Sequence, residues 1–350
     1  MRKNTLKRLL FLDFLRDIAI LGVILIHTTS ITLENSGFDV TRIPLTLFLN
    51  IAARFAVPLF FLISGFALEY RYPGVILLQR YYKRRVARIL VPYLIWSTLY
   101  FFYSYGATGS LIVFFRDIVL GDASFHFYFI PTIILFYALF PLLHKYSTHL
   151  LQTNILLIIA LLEIYLVFLD YYFIQLPLVT PLRVFLLSTL FFFLGMYLTK
   201  HDQILSYVRK RTIIFLIIAA TALCSAFAES RNLYLFTHGI EYIYNQWRFN
   251  IYVYTVALAA LLYNLSFRLA TYASLITLFS QTSFFIYFIH VIFIKVFWRF
   301  IGSYLFSKTA GHIVDTIFFD LAVYVFVVGC SFGVAMIVRR IPKLAWALGA

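Results

Sequence analysis

The chain has 350 residues, is 63% hydrophobic and only 12% charged, and carries a formal net charge of +15. Soluble globular chains are about 45–50% apolar and about 25% charged, so this composition excludes a soluble globular domain and identifies a membrane protein. The positive charge does not indicate a nucleic-acid partner, because the basic residues fall in short stretches between apolar segments, where membrane topology accounts for them.

Taken in chain order, the basic tail MRKNTLKR leads into LDFLRDIAILGVILIH, residues 12–27. The start resembles a signal peptide, but Asp13, Arg16 and Asp17 interrupt the apolar run and no small-x-small cleavage site follows His27, so it reads as a retained first helix. Arg16 and His27 are eleven residues apart. At about 100° and about 1.5 Å per residue, they share one helical face and lie about 16 Å apart along the axis. Ionisable side chains inside a membrane helix are expensive, and that cost marks them as functional candidates. Charges near the helix end have the alternative of snorkelling to the headgroups, which applies to Asp13 more than to His27.

Ten segments are long enough to span, at about 20 residues each: 9–31, 45–70, 88–106, 124–144, 153–173, 181–200, 210–228, 248–268, 282–302 and 313–338. With the N-terminus inside, 19 of the 29 Lys and Arg fall on the cytoplasmic side, seven on the outer side, and Arg16, Arg54 and Lys295 within spans. The positive-inside bias therefore favours an all-α bundle of about ten helices with both termini cytoplasmic. No internal repeat and no domain boundary are visible, so residues 1–350 read as one transmembrane domain without a fused soluble domain. The segment 109–122 is too short to span and reads as an interfacial helix on the outer face. Cys224 and Cys330 lie in apolar segments, with no spacing that suggests a metal.

Within these spans four stretches carry candidate chemistry. In ARFAVPLFFLISGF, residues 53–66, Arg54 reads either as an interfacial arginine beside ordinary packing or as a charge aimed at the cavity of His27, Pro58 should loosen the helix, and Ser64-Gly65 permit close helix approach. In RYYKRRVARILVPY, residues 80–93, Arg85 and Arg88 are spaced i,i+3, and Lys83 and Arg84 thicken the patch. Membrane topology alone would place such charges there. Guanidinium forks also bind phosphate bidentately, so the patch fits a cytoplasmic clamp for a nucleotide-bearing acyl donor such as acyl-coenzyme A. His126 opens the fourth span among aromatic residues, and His290 falls mid-span in SFFIYFIHVIFIKVFW, residues 283–298. His27, His126 and His290 all belong to the outer half under this topology and are candidates to converge there.

Together these stretches resemble the acyltransferase-3 family of integral membrane acyltransferases. The likeness rests on the Arg-x10-His element at Arg16 to His27, VPLFFLISGF at 57–66, RRVARILVPY at 84–93 with its Arg-x-x-Arg, SFFIYFIH at 283–290, and HFYFIPTIILFYALFPLL at 126–143, in that family's order. It implies about ten spans and transfer of an acyl group, often acetyl, from cytoplasmic acyl-coenzyme A to sugar hydroxyls of envelope or secreted polysaccharides. It further implies residence in a bacterial inner or plasma membrane, among lipids and beside separate glycan-assembly proteins, with acyl-coenzyme A as a co-substrate and no permanently bound cofactor or metal. Carried onto this chain, His27, Arg16, His126 and His290 are the catalytic candidates, and Arg85, Arg88, Lys83, Arg84 and Arg54 the donor-binding ones. His27 would deprotonate the acceptor hydroxyl or briefly carry the acyl group. The chain departs from the family at Asp17, where glycine is usual, an acid placed to pair with Arg16. A transporter or flippase for a glycan or lipid-linked sugar accounts for the helices and the polar stripe equally well. It accounts less well for the cytoplasmic arginines, and inverted repeats are lacking.

Overall fold

The computed structural model describes residues 9–35, 43–302, 304, 317–341 and 344. Every regular element among them is a helix, and the protein is an all-α membrane bundle. The longer helices are α1 (Leu10–Asn35), α2 (Pro44–Ala52), α3 (Ala56–Arg71), α4 (Leu78–Arg85), α5 (Val91–Tyr105), α6 (Leu111–Leu120), α7 (Phe129–Lys145), α8 (Thr153–Tyr172), α9 (Thr180–Leu186), α10 (Thr189–Leu198), α11 (Thr212–Thr237), α12 (Phe249–Arg268), α13 (Ala273–Phe297) and α14 (Ile317–Arg339). Seven helices among the described residues are long and apolar enough to cross a membrane, counting α2–α3 and α4–α5 as one each. The pair α9–α10 is long and apolar enough to cross only if taken together and is bent by 46°, the geometry of a broken span or a re-entrant loop, and α7 is a shorter apolar helix. The 26-residue α1 is not among the seven; it carries Asp13, Arg16, Asp17, His27 and Glu34. Arg2, Lys3, Lys7, Arg8, Arg42, Lys308 and Lys343, which enter the charge count, lie outside the described residues.

Lipid as the solvent explains which faces are apolar. In the span Thr212–Thr237 only 17% of the apolar window is buried, although its composition is as hydrophobic as that of Pro44–Arg71, where 78% is buried. In water the exposed apolar face of α11 would be a large unfavourable patch; in hydrocarbon it is the expected surface. Cys224 lies on that helix as an exposed free thiol, so its apolar setting is not a protein core.

The contacts divide the chain into two compact units, Phe61–Ile204 and the described residues of Arg8–Phe60 with Leu205–Ile341. In the first, Phe61, Phe136 and Phe192 are fully buried, and Phe136 stacks on Phe192 at 4.5 Å. Helices α3 and α10 touch through reciprocal glycines. A Cβ at Gly65 would strike the Phe192 carbonyl, and one at Gly195 the Leu62 carbonyl, so only glycine allows the backbones this close. The bend between α9 and α10 leaves backbone amides without helical partners, and the buried Glu163 accepts from Leu190 N at 2.6 Å. At one end of the unit Glu69 pairs with His144 at 2.8 Å and Lys200 at 3.2 Å, joining three segments.

In the second unit α11 and α12 form an antiparallel pair, tied by Asn264 to Thr212 at 2.9 Å and Asn250 to Glu229 at 2.5 Å. The buried Asp320 in the first turn of α14 accepts from Thr32 near the end of α1 and from Thr46 near the start of α2, at 2.6 and 2.5 Å. Both α2 and α14 therefore run antiparallel to α1.

Two element boundaries differ from the sequence reading for identifiable reasons. The expected span 45–70 is broken at Ala53–Phe55, ahead of Pro58. A proline lacks the amide hydrogen and crowds the carbonyl four residues earlier, which here is that of Arg54, so its effect falls one turn upstream. The expected cytoplasmic loop 71–88 is helical from Leu78, and a π turn at Val86–Leu90 joins α4 to α5. Lys and Arg are good helix formers, so charge ended the apolar run without ending the helix.

Candidate active site

The site in the second unit is built on the packing of α1 against α13. Arg16 donates to Ser280 Oγ at 2.8 Å and to Asp13 Oδ1 at 3.2 Å, and Ser280 donates to the same carboxylate at 2.9 Å. Three turns on, the His27 ring stacks on the His290 ring, with centroids 5.4 Å apart and planes 25° apart. Eleven residues separate the α1 pair and ten the α13 pair, about 16 Å against about 15 Å of rise. The two helices therefore run side by side in the same direction.

The two imidazoles have different settings. His27 is half-buried and His290 fully buried. His290 Nδ1 lies 3.2 Å from the Ile286 carbonyl. A carbonyl only accepts, so Nδ1 carries the hydrogen and Nε2 bears the lone pair of the neutral ring. Tyr287 flanks it at 6.2 Å between ring centroids.

Arg54 lies in the break between α2 and α3 and is buried. Its Nε donates to Asn50 Oδ1 at 3.1 Å, its Nη2 donates to the same oxygen, and its Nη1 donates to the Tyr244 carbonyl at 2.7 Å. The guanidinium also sits over the Tyr244 ring at 5.2 Å. Asn50 in turn donates to the Ile26 carbonyl at 3.1 Å, beside His27. At Gly22 a Cβ would lie 3.0 Å from that of Ala56 and 3.2 Å from the Phe55 ring, so a glycine on α1 lets the break approach the helix.

The first unit holds the remaining candidates. Arg85 is half-buried, its guanidinium 5.3 Å from the Tyr81 ring and 5.0 Å from the Tyr137 ring. Tyr81 donates to the Tyr137 carbonyl at 2.8 Å, which holds these two rings together. Arg85 Nε is buried and has no hydrogen-bond partner among the described residues. Lys83 and Arg88 are exposed and Arg84 half-buried, and none of the four cations forms an ion pair among the described residues. The i,i+3 relation of Arg85 and Arg88 crosses the π turn, whose wider winding turns Arg88 outward from the face that Arg85 occupies.

His126 is also in this unit, in the turn before α7 and not on the helix itself. It is buried among Tyr100, Phe125 and Phe127, with Nδ1 3.0 Å from Ser124 Oγ. Gly121 sets that turn: its φ is +79°, and a Cβ there would meet the Phe127 and Tyr128 backbone. His126 therefore has an aromatic setting of its own, whereas His27 and His290 share one.

Sequence reasoning missed Ser280, Asn50 and Tyr244. Ser280 and Asn50 are lone polar residues in apolar runs, and Asn50 carried a signal in its i,i+4 spacing to Arg54. The expected partner of Arg16 also changes. It pairs with Asp13, one turn back on the same helical face.

In a comparison with known families, residues 9–339 match a family model described as an acyltransferase domain. No curated protein and no solved structure matches the chain.

Proposed function

The chain belongs to the acyltransferase-3 family of integral membrane acyltransferases, and from that premise we propose that it moves an acyl group, acetyl first among them, from cytoplasmic acyl-coenzyme A to a sugar hydroxyl of an envelope or secreted polysaccharide. The observation that carries this reading is the stacked His27–His290 pair, with the Arg54 cation tied through Asn50 to the neighbouring Ile26 carbonyl. Ionisable groups among apolar helices support a chemical role, since neither is there for solubility.

In this mechanism the half-buried His27 is the general base. It takes the proton of the acceptor hydroxyl as that oxygen attacks the thioester carbonyl carbon. Negative charge grows on the carbonyl oxygen, and Arg54 stabilises it. The tetrahedral intermediate collapses, the carbon–sulfur bond breaks, and the leaving thiolate recovers the proton from His27. His290, locked by Ile286, holds the His27 ring in place by stacking. Arg16, bound to Asp13 and Ser280, fixes the register of α1 on α13. Arg85, Arg88, Lys83 and Arg84 receive the donor's phosphates, because clustered cations attract a polyanion. His126 takes no step. The protein would work in a bacterial inner or plasma membrane, with separate glycan-assembly proteins supplying the acceptor.

Composition analysis of envelope and secreted glycans from cells with and without the protein tests the acceptor. Loss of one sugar-bound acyl ester on deletion, restored by the wild-type gene and not by a His27→Ala gene, is the expected result. Identical glycans in both strains would remove polysaccharide as the acceptor.

A further inference from the structure

We propose that Asn50 is the positioning residue that holds the Arg54 guanidinium at the His27 site while leaving its charge intact. The assignment rests on the acyl-transfer reading above and adds to it a residue that touches no substrate.

Helix α2 reads PLTLFLNIA and contains two polar side chains, Thr46 and Asn50. Asn50 has no exposed surface. A buried amide needs partners on both its oxygen and its nitrogen, and here the two ends have different ones. Oδ1 accepts from Nε and Nη2 of Arg54. Nδ2 donates to the Ile26 carbonyl at 3.1 Å, Thr29 Oγ1 at 2.9 Å and Ser30 Oγ at 3.1 Å. A flipped amide would set NH2 against a guanidinium and oxygen against a carbonyl, so the orientation is fixed by charge. Asn50 thus ties the α1 turn containing His27 to Arg54.

This tie falls where the chain needs one. Arg54 is in the Ala53–Phe55 break, outside the regular ladder of either α2 or α3. The Tyr254 hydroxyl supports the break by donating to the Ala52 carbonyl at 3.0 Å. The guanidinium itself is held by Asn50 and by the Tyr244 carbonyl and ring. The chemical type matters too. A carboxylate at position 50 would hold Arg54 and also neutralise it, as Asp13 does for Arg16. An amide oxygen engages two N–H groups without adding a negative charge of its own beside the guanidinium.

The test is steady-state acyl transfer by purified protein in detergent, comparing wild type, Asn50→Ala, Arg54→Ala, the double variant and Asn50→Asp, each first shown to be monodisperse. Arg54→Ala is expected to lower kcat about 100-fold, the scale for losing one oxyanion donor. Asn50→Ala should lower kcat at least tenfold with KM within about threefold. If Asn50 acts through Arg54, the double variant will be no slower than Arg54→Ala within about threefold. Should Asn50→Ala not fold, Asn50→Asp decides, since it keeps an acceptor for Arg54 but cancels its charge: a tenfold or greater loss of kcat supports the assignment. Multiplicative losses in the double variant, or full kcat in Asn50→Ala or Asn50→Asp, would overturn it while leaving acyl transfer standing. A wild-type protein that transfers no acyl group fails the functional reading itself.

Discussion

Arg16 and Arg85 are both half-buried arginines, and their surroundings are opposites. Arg16 meets a carboxylate and a hydroxyl, and the Asp13 side chain it pairs with is only 6% exposed. Arg85 lies between two tyrosine rings, with a buried Nε that has no hydrogen-bond partner and no carboxylate among the described residues. Aromatic faces attract a cation but do not cancel its charge. The first arginine is therefore electrically complete within the fold, and the second is prepared for an anion. Sequence position does not separate them, since each sits among polar residues beside an apolar run. Only the partner chemistry separates them, and it favours helix register for Arg16 and the proposed donor-phosphate site for Arg85.

Replacing Arg85 and Arg88 together by Ala tests that difference most severely. Each charge-assisted hydrogen bond to a phosphate is worth about 1.5–3 kcal/mol, so acyl-coenzyme A affinity should fall at least tenfold with the protein still inserted. Equilibrium binding to purified protein measures it, and unchanged affinity would return the patch to a purely topological role. Next in size is Arg16→Ala. It leaves the buried Asp13 with a weaker set of partners, at a cost of about 1 kcal/mol because Arg16 is itself partly solvated. Thermal unfolding in detergent should shift down by a few degrees while donor affinity holds. A drop in affinity matching that of the Arg85/Arg88 variant would erase the contrast between the two arginines. The smallest effect concerns salt. Raising ionic strength from about 0.01 M to about 0.1 M shortens the screening length from about 30 Å to about 10 Å. Donor binding at exposed Arg88 and Lys83 should weaken several-fold, and the small contribution of the less exposed Arg16–Asp13 pair to the unfolding temperature should change little.

The parts of the site that could be read from sequence were those where charge interrupts hydrocarbon. Arg16, His27 and His290 stand out because an ionisable residue in an apolar helix has few reasons to be there, and the eleven-residue spacing on α1 fits the pairing seen with Ser280 and His290. The basic run at 80–88 was equally visible, although its helix was not, since hydropathy reports the end of an apolar stretch and not the end of a helix. Position in space was harder. Nothing in the aromatic surroundings of His126 distinguished it from His290, and only the fold gives one a histidine partner and the other a serine. Asn50 was hidden for a different reason. A single amide in LTLFLNIA changes the hydropathy little, and its importance lies in which groups meet its two ends. The break at Ala53–Phe55 was displaced from its cause at Pro58 by one helical turn.

The central claim is that His27 does the chemistry of a membrane acyltransferase. Purified protein in detergent, given labelled acyl-coenzyme A and a panel of oligosaccharide acceptors, measures this directly for wild type and His27→Ala. Wild type should label an acceptor, and the variant should do so about 10²–10⁴-fold more slowly if His27 is a general base, or not at all if it carries the acyl group. Donor binding should persist in both proteins. Transfer that survives intact in His27→Ala would contradict the account, and wild type that labels no acceptor yet moves a glycan across vesicles would replace it with a transporter.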